Sequence, residues 1–229
     1  MMNASNDKEK GYADLGHTKT DLLREQNSGF DEVVFGKGKT TSQLIDIINH
    51  AATKSSRVFV TGVSLEAANA ATSRFSELVW DEDAQTLSLG QHDEITHRKL
   101  LLVSAGTSDQ RVLKEAENTL RFFGFQTNQM VDVGVAGLHR LLSNLEEIRS
   151  HDLLIVFAGM EGALPSVLAG LTSAPIIAVP TSVGSGVSEG GRVALDAMLS
   201  SCSPGIAVVN IDNGFGAAMF AAKLLKRFE

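Results

Sequence analysis

The sequence is poor in cysteine, because Cys202 is its only thiol among 229 residues. A single cysteine excludes an internal disulfide and a metal site built from several cysteines. It also fits a reducing compartment. The first residues, Met1 to Tyr12, are polar and charged and lack the apolar stretch of a secretory signal. We therefore expect a cytoplasmic protein in which residues 1–12 form a disordered tail.

A long apolar run and an excess of positive charge are also missing. No apolar run approaches the roughly 20 residues needed to span a bilayer, so we expect no membrane segment. The formal net charge of −7 argues against nucleic acid or an anionic membrane as the main partner. A small anionic ligand is still compatible with this charge, because backbone amides and a few local cations can bind phosphate within an acidic protein.

Apolar strands and amphipathic helices alternate regularly after Arg98. Continuous apolar runs of this kind indicate a parallel sheet that is covered by helices on both faces. The pattern predicts an α/β fold, in which a three-layer, doubly wound parallel sheet occupies residues 98–229. Its strands are expected at Lys99–Ser104, Met130–Val133, Leu153–Ala158, Pro175–Val179 and Ile206–Ile211.

A smaller α/β domain is predicted over residues 13–97, with its boundary between His92 and Arg98. Helices are expected over Asp21–Gln26, after a cap at Thr40 or Thr41, and after a cap at Ser64. Arg57–Gly62 is expected to form a strand, and the acidic segment Trp80–Gln91 a loop that contains at most a weak strand.

Each predicted strand of the larger domain leads into a turn that is rich in glycine, serine, threonine or a single acid. In doubly wound sheets, ligands bind outside the carboxyl ends of the strands. The sequence therefore predicts a site at this edge of the sheet. The turns are Ser104–Asp109, Asp132–Gly137, Gly159–Gly162, Pro180–Gly191 and Asp212–Gly216.

The first of these turns has what a phosphate site needs. Gly106 lets the backbone approach a ligand, Thr107 and Ser108 offer hydroxyls, and the free amides of the following helix attract an anion. The same residue types cap helices, with Ser108 or Asp109 as the cap, so both interpretations stay open. The turn is not a Walker loop, because the Gly-Lys-Ser/Thr ending is missing.

Three further side chains are candidates for chemistry at the same edge. Glu161 directly follows an apolar strand, where a carboxylate can act as a general base or simply cap a helix. His139 and Arg140 stand at the start of a helix, where cations oppose the helix dipole, so they either contact a ligand or face solvent.

Cys202 and Asp212 each allow two interpretations. A lone cysteine is usually a small buried hydrophobe, but Cys202 lies in a polar turn, where a thiol can be reached and its reactivity tuned. Asp212 could bind a hydroxyl or a metal ion, or it could belong to a plain glycine turn.

Taken as one ordered set, these turns resemble the aminoimidazole ribonucleotide carboxylase domain (PurE) and, more closely, the LarB family. The segments that carry the resemblance are Ser104–Asp109, Asp132–Arg140, Ala158–Ser166, Val179–Gly184, Leu199–Gly205 and Val209–Gly216, with Ala13-Asp14, Gly29-Phe30, Glu32–Gly36 and Gly38–Thr40 in the N-terminal part. The sequence departs from the family pattern at Ser185 and Glu189, where aromatic residues are expected, at Asp31, where a proline is usual, and at Lys37, where an acid is usual.

The resemblance to LarB implies a pyridinium-3,5-biscarboxylic acid mononucleotide synthase of nickel-pincer cofactor biosynthesis. Its substrates would be nicotinic acid adenine dinucleotide and CO2 or bicarbonate, and its products the dicarboxylated mononucleotide and AMP. It implies Mg2+ for cleavage of the phosphoanhydride, no organic cofactor, and a homo-oligomer, an octamer as in PurE-like domains. The alternatives are a PurE-type carboxylase or mutase and a nucleotide-binding protein without catalysis.

Carried over by motif, Cys202 would be the nucleophile and Glu161 the base. The resemblance also implies substrate contacts for a larger set of residues. These are Gly106, Thr107, Ser108, Asp109, Asp132, Gly137, His139, Arg140, Gly159, Met160, Gly162, Thr181, Ser182, Gly184, Asp212 and Asn213.

Overall fold

A computed structural model describes residues 10–95 and 98–227, and it divides the chain into two compact units between Gln91 and His92. No helix among the described residues is long and apolar enough to cross a membrane.

Among residues 10–91, the first unit contains a hairpin and a four-stranded sheet, together with helices. The hairpin pairs β1 (Tyr12–Asp14) with β2 (Lys19–Asp21), and the sheet has the order β3 (Val34–Phe35), β4 (Val58–Thr61), β6 (Thr86–Leu89), β5 (Val79–Asp81). The helices are α1 (Arg24–Ser28), α2 (Thr41–Lys54) and α3 (Leu65–Arg74). As predicted, Thr40 caps α2 and Ser64 caps α3, each accepting a backbone N–H from the first turn.

Three expectations for this unit were wrong in detail. Residues 1–9 of the expected tail lie outside the described residues, but Tyr12 begins β1 and carries the Lys19 ammonium 5.0 Å from its ring centre. Asp21 ends a strand, because its carboxylate accepts the Leu23 N–H at 2.9 Å and forms a turn before α1. The segment Trp80–Gln91, expected to be a loop with at most a weak strand, contains most of the antiparallel pair β5–β6.

The second unit is a five-stranded parallel sheet with helices on both faces. Its strands are β7 (Leu100–Ser104), β8 (Thr127–Met130), β9 (Leu153–Ala158), β10 (Ile176–Pro180) and β11 (Ile206–Val208), in the order β11-β10-β9-β7-β8. Its helices are α4 (Gln110–Phe122), α5 (Leu138–Leu142), α6 (Leu145–Arg149), α7 (Leu164–Ala169), α8 (Arg192–Leu199) and α9 (Gly214–Lys226). The predicted doubly wound α/β fold is confirmed.

The strand order places a topological switch point between β7 and β9. The chain adds β8 on one side of β7 and then returns to add β9, β10 and β11 on the other side. Connections therefore leave β7 and β9 in opposite directions, and doubly wound proteins bind ligands outside the carboxyl ends of the strands at such a point.

Two elements differ from the sequence prediction because they lie where burial is incomplete. Strand β8 covers Thr127–Met130 rather than Met130–Val133, since an edge strand with exposed Asn128 and Gln129 lacks the apolar run that marks buried strands. The single helix expected after Gly137 is split into α5 and α6, and the Asn144 side chain at the break donates to the Arg140 carbonyl at 2.8 Å.

The segment His92–Ile95 belongs structurally to the second unit. The His92 ring lies 5.7 and 5.5 Å from the rings of Phe122 and Phe123, and the Ile95 N–H donates to the Gly124 carbonyl at 3.1 Å. Gly124 has a φ of +83°, and a Cβ atom there would collide with the Asp93 carbonyl oxygen. Glycine is therefore required both by the backbone conformation and by the close approach of this segment.

We expect Gly124→Ala to destabilise the second unit by roughly 3 kcal/mol, because the substitution adds a collision with backbone to the strain of a positive φ. Gly190→Ala is the matched control, because Gly190 has a φ of +79° and open space around a Cβ atom. The control should lose only about 1 kcal/mol. Urea unfolding of both variants measures the difference, and equal losses would contradict the packing of His92–Ile95 on α4.

Candidate functional site

The carboxyl edge of the large sheet is organised by the buried side chain of Asp109. Its Oδ2 accepts the Gly106 N–H at 2.8 Å and its Oδ1 accepts the Thr181 hydroxyl at 2.5 Å, and the Gly159 N–H also bonds to this carboxylate. Gly106 follows β7, Gly159 follows β9 and Thr181 follows β10, so one side chain joins three strand-end turns.

The environment of Asp109 is unusual for an acid. The side chain is 3% exposed. Burial raises the pKa of the Asp109 carboxyl and the nearby charge of Asp212 adds to this, whereas the hydrogen bonds from Thr181, Gly106 and Gly159 lower it. The three hydrogen bonds thus offset part of the free-energy cost of removing the charged Asp109 carboxylate from water.

Asp212 joins the turn after β11 to the turn after β10. Its Oδ1 accepts the Ser182 N–H at 2.8 Å, and its Oδ2 lies 3.2 Å from the Arg111 guanidinium at the start of α4. The next residue, Asn213, caps α9 by accepting the Gly216 N–H at 2.8 Å. These side chains hold the turns together.

The close packing of the turns also explains Gly159. A Cβ atom at this position would collide with the Val183 carbonyl oxygen and lie 2.7 Å from the Thr181 hydroxyl. The Met160 N–H donates to the same Val183 carbonyl at 2.8 Å. Glycine is needed here for contact between neighbouring turns, independently of any ligand.

The turn after β8 is held by its own ion pair. The Arg140 guanidinium lies 2.5 Å from Asp132 Oδ2, and Gly137 packs against the same guanidinium. Asp132 has a positive φ of 60°, and Met160 and Asp212 in the corresponding turns have φ values of 50° and 53°. The same uncommon backbone conformation therefore recurs at the ends of three strands.

The side chains that remain available to a ligand form a different set. Thr107, Ser108, His139, Met160 and Glu161 are exposed. None of the four polar members has a side-chain hydrogen bond or ion pair to another described residue. The residues predicted as one site thus divide into an inner group that binds the turns to each other and an outer group that faces outwards.

The predicted base also has to be distinguished from the buried acid. Glu161 is exposed, whereas Asp109 is buried, and burial raises the pKa of the Asp109 carboxyl. Glu161 follows Gly159 and Met160, so its position depends on the turn that Asp109 holds.

Cys202 does not lie at this edge within one chain. It is exposed in the loop between α8 and β11, at the amino end of β11, whereas Glu161 follows the carboxyl end of β9. Strands β9, β10 and β11 are parallel, so these positions belong to opposite edges of a sheet about 16 Å long. The Cys202 loop is fixed by Ser201 and Ser203, which bond to the Ser166 hydroxyl at 2.7 Å and to its carbonyl at 3.0 Å.

The described residues offer no ready-made metal site. No group of three His, Cys, Asp or Glu side chains is placed to hold a metal ion in residues 10–95 and 98–227. At the carboxyl edge, the three aspartates are engaged by Arg111, Arg140 and the donors around Asp109. The side chains do not fit a protein-held Mg2+, so we assign no step to one.

Sequence reasoning missed Arg111, which pairs with Asp212 at the start of α4. The available signal was its position, since a cation in the first turn of a helix opposes the helix dipole. The same argument had singled out Arg140.

Both units match known protein families. Residues 12–91 match the LarB/PurE-like N-terminal domain, and residues 99–229 match the AIR carboxylase domain. An uncharacterized protein of Methanocaldococcus jannaschii is 39% identical over 217 residues, which cover 91% of this chain and 84% of that protein. The N5-carboxyaminoimidazole ribonucleotide mutase of the same organism is 36% identical over 133 residues, which cover 55% of this chain and 78% of the mutase.

A crystal structure of Treponema denticola PurE is also similar to this chain, with a TM-score of 0.48 and 24% sequence identity, and it covers 58% of this chain and 83% of the PurE chain. The family assignment depends on the two domain matches and on the relative that aligns along nearly the whole sequence. The chain therefore belongs to the LarB family, in which a LarB/PurE-like N-terminal domain precedes an AIR carboxylase domain.

Proposed function

We propose that this protein carboxylates the pyridinium ring of nicotinic acid adenine dinucleotide with CO2 and hydrolyses its phosphoanhydride, releasing pyridinium-3,5-biscarboxylic acid mononucleotide and AMP. The two domain matches support a carboxylase- or mutase-like enzyme. The specific reaction is our proposal. It depends on one observation above all, the exposed thiol of Cys202 in a loop of the LarB pattern.

The chemistry explains why a thiol is needed. A pyridinium ring is electron-poor and does not attack CO2. Addition of the Cys202 thiolate to the ring carbon para to nitrogen moves an electron pair onto the nitrogen and gives a neutral enamine, whose unsubstituted meta carbon is nucleophilic. That carbon forms a bond to CO2. A base then removes its proton, and the electron pair of the C–H bond restores the aromatic ring as the C–S bond breaks.

The available side chains fit the remaining tasks. Glu161 is exposed and is the proposed base, and the exposed hydroxyls of Thr107 and Ser108 can bind phosphate, ribose or CO2. His139 can contact the phosphates, as can Arg140 through the part of its guanidinium that Asp132 leaves open. Water supplies the oxygen that cleaves the phosphoanhydride, and the assay contains Mg2+ as the counterion of the substrate phosphates.

The proposed reaction requires Cys202 and Glu161 to face one pyridinium ring, although they lie at opposite sheet edges within one chain. A homo-oligomer resolves this, if the Cys202 loop of one copy meets the carboxyl edge of another. Large exposed apolar side chains lie both at the carboxyl edge and near the Cys202 loop. They are Leu138 next to His139, Met160 next to Glu161, and Leu199 near Cys202. Exposed apolar groups at these places favour burial between copies.

The first test is turnover of nicotinic acid adenine dinucleotide with bicarbonate and Mg2+, followed by chromatography and mass spectrometry. We expect AMP and the dicarboxylated mononucleotide as products. Cys202→Ser should lower carboxylation on the order of 10³-fold or more, because a serine hydroxyl is a far weaker nucleophile than a thiolate. Ser200→Ala in the same loop is the matched control and should retain activity.

Full activity of Cys202→Ser would exclude the covalent mechanism. Absence of both products from the unaltered protein would overturn the proposed reaction, and tight AMP binding without turnover would then identify a nucleotide-binding protein.

A second test asks whether the site is shared between copies. Cys202→Ser and Glu161→Gln should each be inactive, but their co-expression as a mixed oligomer should restore about a quarter of the activity, since one site in four then has both native residues. The mixed oligomer is purified through a different affinity tag on each variant. If no activity returns, both residues act from the same chain.

The similarity to an N5-carboxyaminoimidazole ribonucleotide mutase favours one alternative, a PurE-type carboxylase or mutase. Such a reaction moves a carboxyl group without the need for a thiol. Conversion of N5-carboxyaminoimidazole ribonucleotide that is unaffected by Cys202→Ser would favour this alternative over our proposal.

A further inference from the structure

The first unit contains a cavity that the proposed reaction does not use. Its volume is about 170 Å³, and it lies between the end of β2, α1, the segment before β3 and the C-terminal half of α2. Every residue that lines it belongs to the first unit. Val34, Ile47 and Ala51 form part of an apolar wall, and charged side chains surround that wall. The cavity thus combines an apolar surface with charged groups, as small-molecule sites do.

Thr20 places a buried hydroxyl in the wall of this cavity. Thr20 is the middle residue of β2 and is only 8% exposed. Its Oγ1 atom is buried and has no hydrogen-bond partner among residues 10–95 and 98–227. Buried polar groups are nearly always hydrogen-bonded in folded proteins, because a buried group without a partner is unfavourable. This hydroxyl therefore points to a polar group of a bound molecule.

The charges around the cavity favour a cation as that molecule. The lining carries four carboxyl groups and three lysine or arginine side chains. Two of the cations are already paired there, since the Arg24 guanidinium lies 3.0 Å from Asp21 Oδ2. The Arg57 guanidinium lies 3.2 Å from Asp31 Oδ2. The lining therefore has an excess of acid.

Glu32 is the acid of this lining whose charge is least compensated. Its Oε2 accepts the Asp21 N–H at 3.0 Å, next to Thr20 in the chain. Burial raises the pKa of the Glu32 carboxyl, and the charge of Asp21 adds to this effect. The Asp21 N–H and the cations Arg24 and Lys39 lower the pKa, but they offset the effect of burial only in part. A cation bound beside Glu32 would stabilise its charged form.

We propose that this cavity binds a small organic cation, an ammonium or guanidinium compound with a short apolar body. The cationic group pairs with the Glu32 carboxylate and donates a hydrogen bond to Thr20 Oγ1. The apolar body packs on Val34, Ile47 and Ala51 and is removed from water there. The proposal goes beyond the carboxylation reaction and does not depend on it, because all of these groups belong to the first unit.

The test titrates the whole protein with three compounds that share one apolar body. Isopentylamine is a cation at neutral pH, isopentyl alcohol is neutral, and isovalerate is an anion. Methyl NMR of isoleucine- and valine-labelled protein locates the binding. The methyl signals of Val34 and Ile47 should move with the amine, whereas that of Ile176 in the second unit should not. We expect the amine to bind about tenfold or more tightly than the alcohol, because it bonds to a charged group, and isovalerate not to bind in the cavity.

Two variants test the named contacts. Glu32→Gln keeps the length of the side chain and removes its charge, so it should weaken amine binding about tenfold or more and leave alcohol binding unchanged. Thr20→Val removes the hydroxyl and should weaken amine binding about threefold or more. Thr20→Val should not lower the resistance to urea, because that hydroxyl has no partner among the described residues. Glu66→Gln is the matched control and should leave binding unchanged, because Glu66 is exposed in the first turn of α3 and does not line the cavity.

Equal binding of the amine and the alcohol would overturn the proposal, and so would tighter binding of isovalerate. Signals of Val34 and Ile47 that do not move with the amine up to roughly 50 mM would also overturn it. The same holds for amine binding that neither Glu32→Gln nor Thr20→Val weakens. If a variant does not fold, the comparison of the three compounds on the unaltered protein decides the question. None of these results depends on turnover of nicotinic acid adenine dinucleotide, so the proposed reaction and this site can fail separately.

Discussion

The carboxyl edge of the large sheet depends on a negative charge held out of water. Burying a carboxylate is unfavourable unless donors replace its hydration, and here the replacement comes from three separate turns. The conformation of each turn therefore depends on the conformations of the other two. The outward-facing hydroxyls and Glu161 extend from turns whose backbone N–H groups donate to this carboxylate.

The same arrangement explains how much of the fold and of the candidate site can be predicted from the sequence. The runs Lys99–Ser104, Leu153–Ala158 and Pro175–Val179 predict buried parallel strands, and the polar turns that follow them predict the position of the site. Those turns contain the same residue types whether they bind a ligand or each other. Thr181 and Ser108 look alike in sequence, yet one is fully buried and the other exposed. Only tertiary contacts distinguish them.

Other differences arise where burial is partial or where distant segments meet. Strand β8 is an outer strand of the sheet and lacks an apolar sequence, so it begins three residues before the strand that the apolar pattern predicts. The polar turn around Cys202 resembled the turns of the site in composition, but it connects a helix to a strand and so lies at the other edge. The residue types of this turn do not indicate at which edge of the sheet it lies. Its position between α8 and β11 does.

The packing of His92 against Phe122 and Phe123 has a consequence for how the chain is divided. The AIR carboxylase match begins at residue 99, so a fragment cut at that point would contain the whole matched domain. That fragment would, however, lack the His92 ring, which packs on Phe122 and Phe123. It would also lack the Asp93 carbonyl, which packs closely against Gly124. Residues 92–95 are therefore a structural part of the second unit rather than a spacer between domains.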